Sequence, residues 1–166
     1  MSTSYFKHIP RRDRAKGLVP KIRRCSVKFK RALKSDDAAR QNEASHDAWN
    51  AMSLLFEILR GEQDSGHLAD ELMCVPTGFL ATNLSADDND AMILKQKIDR
   101  SRGVPMTLRD TLNKIAHWHI TSFRVDGRNT HFLILSGTLR GKLWFAEVSV
   151  PKLCKNASAA IKGISG

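Results

Sequence analysis

Three polar side chains in one segment have the spacing of a single helix face. Arg109, Asn113 and His117 are separated by four and four residues, and on an α-helix such residues form a stripe that turns by only about 80° over two turns. A histidine can move a proton to or from a ribose hydroxyl near neutral pH, and an arginine can stabilise charge that develops on a phosphorane. With the amide orienting either group, these three are candidate catalytic residues for metal-independent RNA cleavage.

The same residues also have a purely structural interpretation. Asparagine and histidine near the C-terminus of a helix commonly bind its last carbonyl groups or gain from the helix dipole. His117 and His119 lie two residues apart, so on an extended strand they would point the same way and could share a metal ion. No third ligand is identified by the sequence, and we expect neither a metal nor a cofactor.

The helix that carries this stripe belongs to a chain that we expect to be α+β. Apolar residues at steps of three and four predict a helical N-terminal two-thirds, and alternating apolar residues then predict strands. Two turn sequences join these strands into a three-stranded antiparallel meander, which a C-terminal helix follows. The predicted helices are residues 18–33, 36–60, 68–73, 85–100, 108–118 and 151–163, and the predicted strands are 119–125, 130–135 and 142–150.

Positive charge is concentrated at the N-terminus. The 166 residues carry a formal net charge of +10, from 27 Lys and Arg against 17 Asp and Glu. Twelve of the basic residues lie in residues 1–34 with one acid, Asp13, so the rest of the chain is close to neutral. Because a block of like charge repels itself, we expect a flexible basic arm over residues 1–17 and a single α+β domain over residues 18–166.

Clustered cations of this kind are typical of a surface that binds a polyphosphate chain, since each neutralised phosphate releases a counterion. We therefore expect nucleic acid, with RNA favoured, as the partner. The alternatives are a solubilising tail, or a non-catalytic scaffold that docks on an acidic protein. The tryptophans are expected to be core or interface aromatics instead of stacking platforms. The predicted nucleic-acid-binding residues are Arg11, Arg12, Arg14, Lys16, Lys21, Arg23, Arg24, Lys28 and Arg31.

Cysteines and apolar segments bear on location. No segment approaches the ~18 apolar residues that span a bilayer, and the N-terminus lacks the apolar core of a secretory signal. Cys25, Cys74 and Cys154 have no paired spacing, which argues against a disulfide framework and against a thiolate zinc site. We expect a cytoplasmic protein without a membrane partner.

The run Asn113-Lys114-Ile115-Ala116-His117 resembles the end of the Arg-Asn-Lys-Ile-Ala-His type motif of the HEPN superfamily (higher eukaryotes and prokaryotes nucleotide-binding domain). The resemblance implies a helical core over residues 49–118, homodimers, and the RNase activity of toxin–antitoxin, abortive-infection and CRISPR defence systems. It also implies that His117 is the catalytic histidine. Leu112 stands where the motif has arginine, and Arg109 lies one turn earlier. An inactive relative that only binds nucleic acid is the alternative that this departure leaves open.

Overall fold

The structure is a computed structural model that describes residues 10–95 and 97–165. Within these ranges the chain forms helices on both sides of one antiparallel sheet. The helices are α1 (Arg11–Lys34), α2 (Ala38–Asp64), α3 (Asp70–Met73), α4 (Ala86–Ile93), α5 (Leu108–Ala116) and α6 (Val150–Lys162), with a 3₁₀ turn at Arg100–Arg102. The strands are β1 (Pro76–Leu84), β2 (Gly103–Thr107), β3 (Ile120–Val125), β4 (His131–Leu139) and β5 (Lys142–Ser149).

The sheet is larger than the sequence predicted. Its order is β2-β1-β5-β4-β3, and every neighbouring pair is antiparallel. The α+β class and the consecutive pairing of β3, β4 and β5 agree with the prediction, but the prediction of a three-stranded sheet was wrong. Two strands from the predicted helical part, β1 and β2, complete the five-stranded sheet, and the helix predicted over residues 85–100 is confined to α4.

Both missed strands contain residues that usually interrupt secondary structure. Gly103 begins β2, and Pro105 lies within this strand. A proline is tolerated there because β2 is at the edge of the sheet, where the backbone on the open side needs no N–H group for pairing. Gly78 lies in β1, where a Cβ atom would come within 2.7 Å of the Glu147 carbonyl oxygen on β5. This glycine therefore permits close strand pairing, although in the sequence it resembles a helix stop.

The predicted basic arm is also corrected in part. The segment 11–17 is not separate from the domain but forms the first turns of α1, and Ala15 within it is fully buried. Pro20 lies inside the same helix, where it removes one backbone hydrogen bond. Residues 1–9 of the predicted arm lie outside the described residues. The helix begins earlier than expected because its apolar positions continue in register from Ile22 back through Val19 to Ala15.

Apolar side chains cover both faces of the sheet. On one face Leu133, Leu135 and Val148 pack against α1, α2, α5 and α6 in the larger core. On the other face Ile134 and Phe145 pack with Met92 of α4 in a smaller core. The helices that carry the candidate site therefore lie on the first face. Over the described ranges, none of the helices has both the length and the apolar composition needed to cross a bilayer.

Candidate nucleic-acid interface

The predicted catalytic stripe is held on α5, whose start is well defined. Thr107 and Asp110 form the capping box there: the Thr107 hydroxyl accepts from the Asp110 backbone N–H at 3.1 Å, and the Asp110 carboxylate accepts from the Thr107 N–H at 3.4 Å. The sequence signal for this helix start was therefore correct. The capping fixes which side chains of α5 face the core and which form its polar side.

Arg109, at the start of α5, is bound to the C-terminal end of α2. Its guanidinium donates to Gln63 Oε1 at 2.7 Å and to Asp64 Oδ1 at 3.0 Å. The Arg109 side chain is 25% exposed. These bonds occupy the group that was expected to stabilise a transition-state charge, and they give it a role in joining α2 to α5.

His117 lies at the opposite end of α5 from Arg109. It is the C-cap residue of the helix and its side chain is exposed, while Asn113 between them is half-buried. Eight residues at 1.5 Å each separate Arg109 from His117 by about 12 Å along the helix axis. The structure therefore does not bring these two side chains together along α5, and a catalytic role for the three residues stays a prediction. Across the described ranges, no group of three or more His, Cys, Asp or Glu residues is placed to hold a metal ion.

The predicted nucleic-acid-binding residues of α1 fall into two groups. Four of them have intramolecular neighbours, and three of these contacts tie α1 to the rest of the domain. Arg11 pairs with Glu62 at 3.5 Å, Arg12 donates to the Lys162 carbonyl at 3.1 Å, Lys16 pairs with Asp13 at 3.1 Å, and Arg23 lies beside the buried Cys154 thiol.

The other five form what we term the basic stripe: Arg14, Lys21, Arg24, Lys28 and Arg31. All five are exposed, and in the described part of the chain none has a salt bridge or side-chain hydrogen bond. Their spacings of seven, three, four and three residues keep them on one side of the helix. From Arg14 to Arg31 the stripe spans seventeen residue-to-residue steps, which correspond to about 25 Å of helix.

The apolar side of α1 explains why this stripe faces outward. The buried residues of α1 include Ala15, Val19, Ile22, Phe29 and Ala32. Only one orientation of the helix about its axis keeps these side chains in the core, and this orientation places the basic stripe on the outside. On the flank towards α2, Glu43 and Asp47 line a hollow with Lys28. Lys28 therefore has acidic residues in its surroundings, although no salt bridge forms.

A second feature lies between α2 and β3. A groove of about 570 Å³ opens there, which is within the 300–1,000 Å³ range of small-molecule pockets. Four aromatic residues line it: Phe29, Trp49, Trp118 and Phe123. Trp49 and Trp118 meet edge to face with ring centroids 5.0 Å apart. We term this feature the aromatic groove.

The aromatic groove also presents polar groups. Gln41, Asn42, Ser45, His46 and Ser122 line it, and no carboxylate is among the described lining residues. Gln41 donates to the Ala32 carbonyl at 3.4 Å, which anchors it at the turn between α1 and α2. The Thr121 Oγ1 atom, on another lining residue, is buried without a hydrogen-bond partner among the described residues. The groove thus combines flat apolar surfaces with uncommitted donors and acceptors.

His131 lies behind the aromatic rings of the groove. Its ring stacks on Phe29 with centroids 4.8 Å apart and lies 5.1 Å from Phe123. The side chain is buried, and burial, with a smaller contribution from Lys30, lowers its pKa to about 4. The His131 ring is therefore neutral near pH 7, and it packs as an apolar ring against Phe29 and Phe123.

Lys114, from the motif that resembles the HEPN superfamily, turns towards the sheet. Its Nζ atom lies 4.3 Å from the centroid of the Trp144 ring, and burial lowers its pKa. Trp144 is buried in the larger core, as the sequence predicted. Trp118 is 37% exposed and so lies outside the core, and an interface role for it stays a prediction. Nothing local in the sequence indicated the groove, because its walls come from elements about seventy residues apart.

Comparisons with protein-family models, with curated proteins and with solved structures found no match. The resemblance to the HEPN superfamily therefore rests on residues 113–117 alone. Any functional conclusion must come from the two surfaces described above, the basic stripe and the aromatic groove.

Proposed function

We propose that the protein binds nucleic acid through the basic stripe of α1. The observation that carries this proposal is that five cationic side chains follow one side of a helix and form no salt bridge with any residue that the structure describes. Each of these side chains is free to neutralise a phosphate, and the release of condensed counterions then favours binding. RNA remains the favoured partner because residues 113–117 resemble the HEPN motif.

Binding through the stripe would be independent of sequence. Lysine and arginine contacts to phosphates position a nucleic acid but carry no base information. For a single strand, five phosphate contacts correspond to a slope of about −3.5 when log affinity is plotted against log salt concentration. The slope of this plot therefore measures how many phosphate contacts are made.

The geometry does not support adding RNA cleavage to this proposal. Arg109 is engaged with Gln63 and Asp64, and His117 stands about 12 Å further along the helix axis. We accordingly place binding, and not catalysis, at the centre of the function.

The test compares two triple variants that remove the same charge from different places. Arg24, Lys28 and Arg31 are changed to glutamine in one variant. In the matched control, three exposed lysines outside the stripe, Lys95, Lys152 and Lys155, are changed to glutamine. Fluorescence anisotropy with a labelled 12-nucleotide RNA is measured between 50 and 300 mM NaCl, as are the far-UV spectra that report folding.

We expect the stripe variant to lose affinity at least about tenfold at low salt and to reduce the slope by about 2, because three counterion-releasing contacts are removed. The control should stay within about twofold of the parent protein. Equal losses in both variants would mean that only net charge matters, and the absence of RNA binding at 50 mM salt would refute the proposal. Recovery of an acidic protein in place of RNA would support the scaffold alternative.

A further inference from the structure

The described lining of the aromatic groove contains no lysine or arginine, yet the groove lies beside the element that carries the basic stripe. Phe29 contributes to the groove and Arg31 ends the stripe, and both belong to α1. They project from roughly opposite sides of the helix, whose diameter with side chains is about 10–12 Å. A flexible strand of a few nucleotides can pass around the end of α1 and contact both surfaces.

We infer that the aromatic groove takes one unpaired nucleobase, so that the protein selects single-stranded over double-stranded nucleic acid. This inference rests on the proposed function, since it assigns a second contact to the same ligand. In a duplex the faces of each base are covered by its neighbours, whereas in a single strand a base can turn out and stack on aromatic side chains.

Trp118 provides the stacking surface of the groove. It is accessible and braced edge-on by Trp49, whereas Phe29 is buried in the wall of the groove and packs on the parallel ring of His131. Rings held in this way lose little further conformational freedom when a flat ligand stacks on them. Base-to-aromatic stacking tolerates any sequence because every base has a π-face.

The polar lining suits the edge of a base. Asn42, Ser45 and Ser122 offer donors and acceptors that have no side-chain hydrogen bonds within the described chain. Such groups can pair with the exocyclic amino and carbonyl groups of a base. Without a carboxylate in the described lining, the groove does not repel the phosphates on either side of the inserted nucleotide.

Charge complementarity favours this occupant over an extended peptide at the edge of β3. The groove adjoins the helix that carries the net positive charge of the protein. A nucleotide supplies in one unit the flat apolar ring that the groove accommodates and the anion that α1 attracts. A neutral peptide strand would use the edge of β3 but leave those cations unpaired.

The experiment measures selectivity between two probes in the full-length protein. A labelled 12-nucleotide oligouridine and a 12-base-pair RNA duplex are titrated at 50 mM NaCl, with tryptophan fluorescence recorded in parallel. The variants are Trp118→Ala and Asn42→Ala, both at accessible groove positions. The matched control is Val104→Ala, which shortens another exposed apolar side chain, on the distant edge strand β2. Thermal unfolding verifies that each variant is folded, and Asn42→Ala carries the test if Trp118→Ala does not fold.

We expect the parent protein to bind the single strand at least about fivefold more tightly than the duplex and to show quenched tryptophan fluorescence with the single strand only. Trp118→Ala should weaken single-strand binding by about fivefold or more and leave duplex binding unchanged. Asn42→Ala should reduce the preference in the same direction, and Val104→Ala should behave as the parent.

Equal affinity of the parent protein for both probes, with Trp118→Ala and Asn42→Ala unchanged, would overturn the groove inference. That result would leave the basic stripe as the binding surface. Unchanged oligouridine binding by the groove variants would also overturn it, as expected if a peptide occupies the groove. Failure of the parent protein to bind either probe would instead refute the proposed function itself.

Discussion

Ser26 Oγ and His131 Nδ1 lie 2.8 Å apart, and this buried contact joins α1 to β4. Both residues are less than a tenth exposed, at 7% and 2%. The other ring nitrogen of His131, Nε2, has no hydrogen-bond partner among the described residues. A neutral ring can accommodate this environment, whereas an imidazolium would place a positive charge in the core beside Lys30.

The stability of the protein should therefore depend on pH through His131. In the folded state its pKa is about 4, below the ordinary value of 6.5. The unfolded chain thus binds a proton between these values while the folded chain does not, so protonation favours unfolding as the pH falls. The contribution of His131 should be present in full above about pH 6.5 and decline by about 3 kcal/mol as the pH approaches 4.

Urea unfolding at a series of pH values between 7.5 and 4 measures this dependence. His131→Phe preserves a ring that can stack on Phe29 and removes the titrating group. The variant should lose less stability than the parent across this pH range. Parallel pH profiles for the two proteins would show that His131 is not responsible.

Gly137 should not tolerate a side chain. It pairs with Trp144 on β5, and a Cβ atom at this position would come within 2.5 Å of Cζ2 of the indole ring. Gly137→Ala is expected to destabilise the protein by about 1–3 kcal/mol, because the ring is fixed between the sheet and Lys114. In Gly127→Ala, the control, the added Cβ meets no atom within 4 Å, and stability should change by less than about 0.5 kcal/mol. Chemical denaturation of both variants provides the comparison.

Gly17 offers a test of where α1 begins. The residue lies inside the helix, and an added Cβ would meet nothing within 4 Å. Gly17→Ala should stabilise the protein by about 0.5–1 kcal/mol, since alanine favours a helix interior. Gly66→Ala has equally open space but a φ of +74°, and it should destabilise. If Gly17→Ala has no effect on the melting temperature, then residues 11–17 are not helical in solution.

Glu147 should be needed to compensate the charge of a half-buried arginine. Its carboxylate is 2% exposed and pairs with both Arg100 and Arg124, of which Arg124 is the less exposed at 17%. Glu147→Gln should cost about 3 kcal/mol, because it removes the buried carboxylate paired with Arg124 and leaves only the more distant charge of Asp126. The double variant Glu147→Leu/Arg124→Met removes both charges and should recover much of this loss. Glu57→Gln, at an exposed position, provides the control, and equal effects of Glu147→Gln and Glu57→Gln would contradict the prediction.

The parts of the fold that follow from local patterns could be predicted from the sequence. Apolar residues in α1, α2, α5 and α6 repeat at helical spacing, and this period survives whatever the helices pack against. Strand β1 could not be recognised in this way. It owes its conformation to pairing with β5, more than sixty residues later in the chain, and its inward positions include small residues such as Ala81.

In the candidate site, too, the features set by local sequence could be predicted and those set by tertiary contacts could not. The basic stripe was predictable from Lys21 to Arg31, because charge and helical spacing are local properties, whereas Arg14 was expected in a flexible arm. The chemistry expected of Arg109 was not supported, because its partners Gln63 and Asp64 approach only when α2 and α5 pack together. Tertiary contact likewise brings Trp49 to Trp118, and their shared groove has no sequence signature.

One consequence follows from α1 carrying both Ile22 and Phe29 in the core and Arg24 and Arg31 on its surface. Deletion of α1 would therefore remove part of the hydrophobic core, and it would abolish folding together with any affinity for a ligand. The affinity that α1 contributes can change only by exchanging individual outward residues while the inward ones are kept. Each turn of α1 thus contains outward residues that can vary and inward residues that must be kept for the protein to fold.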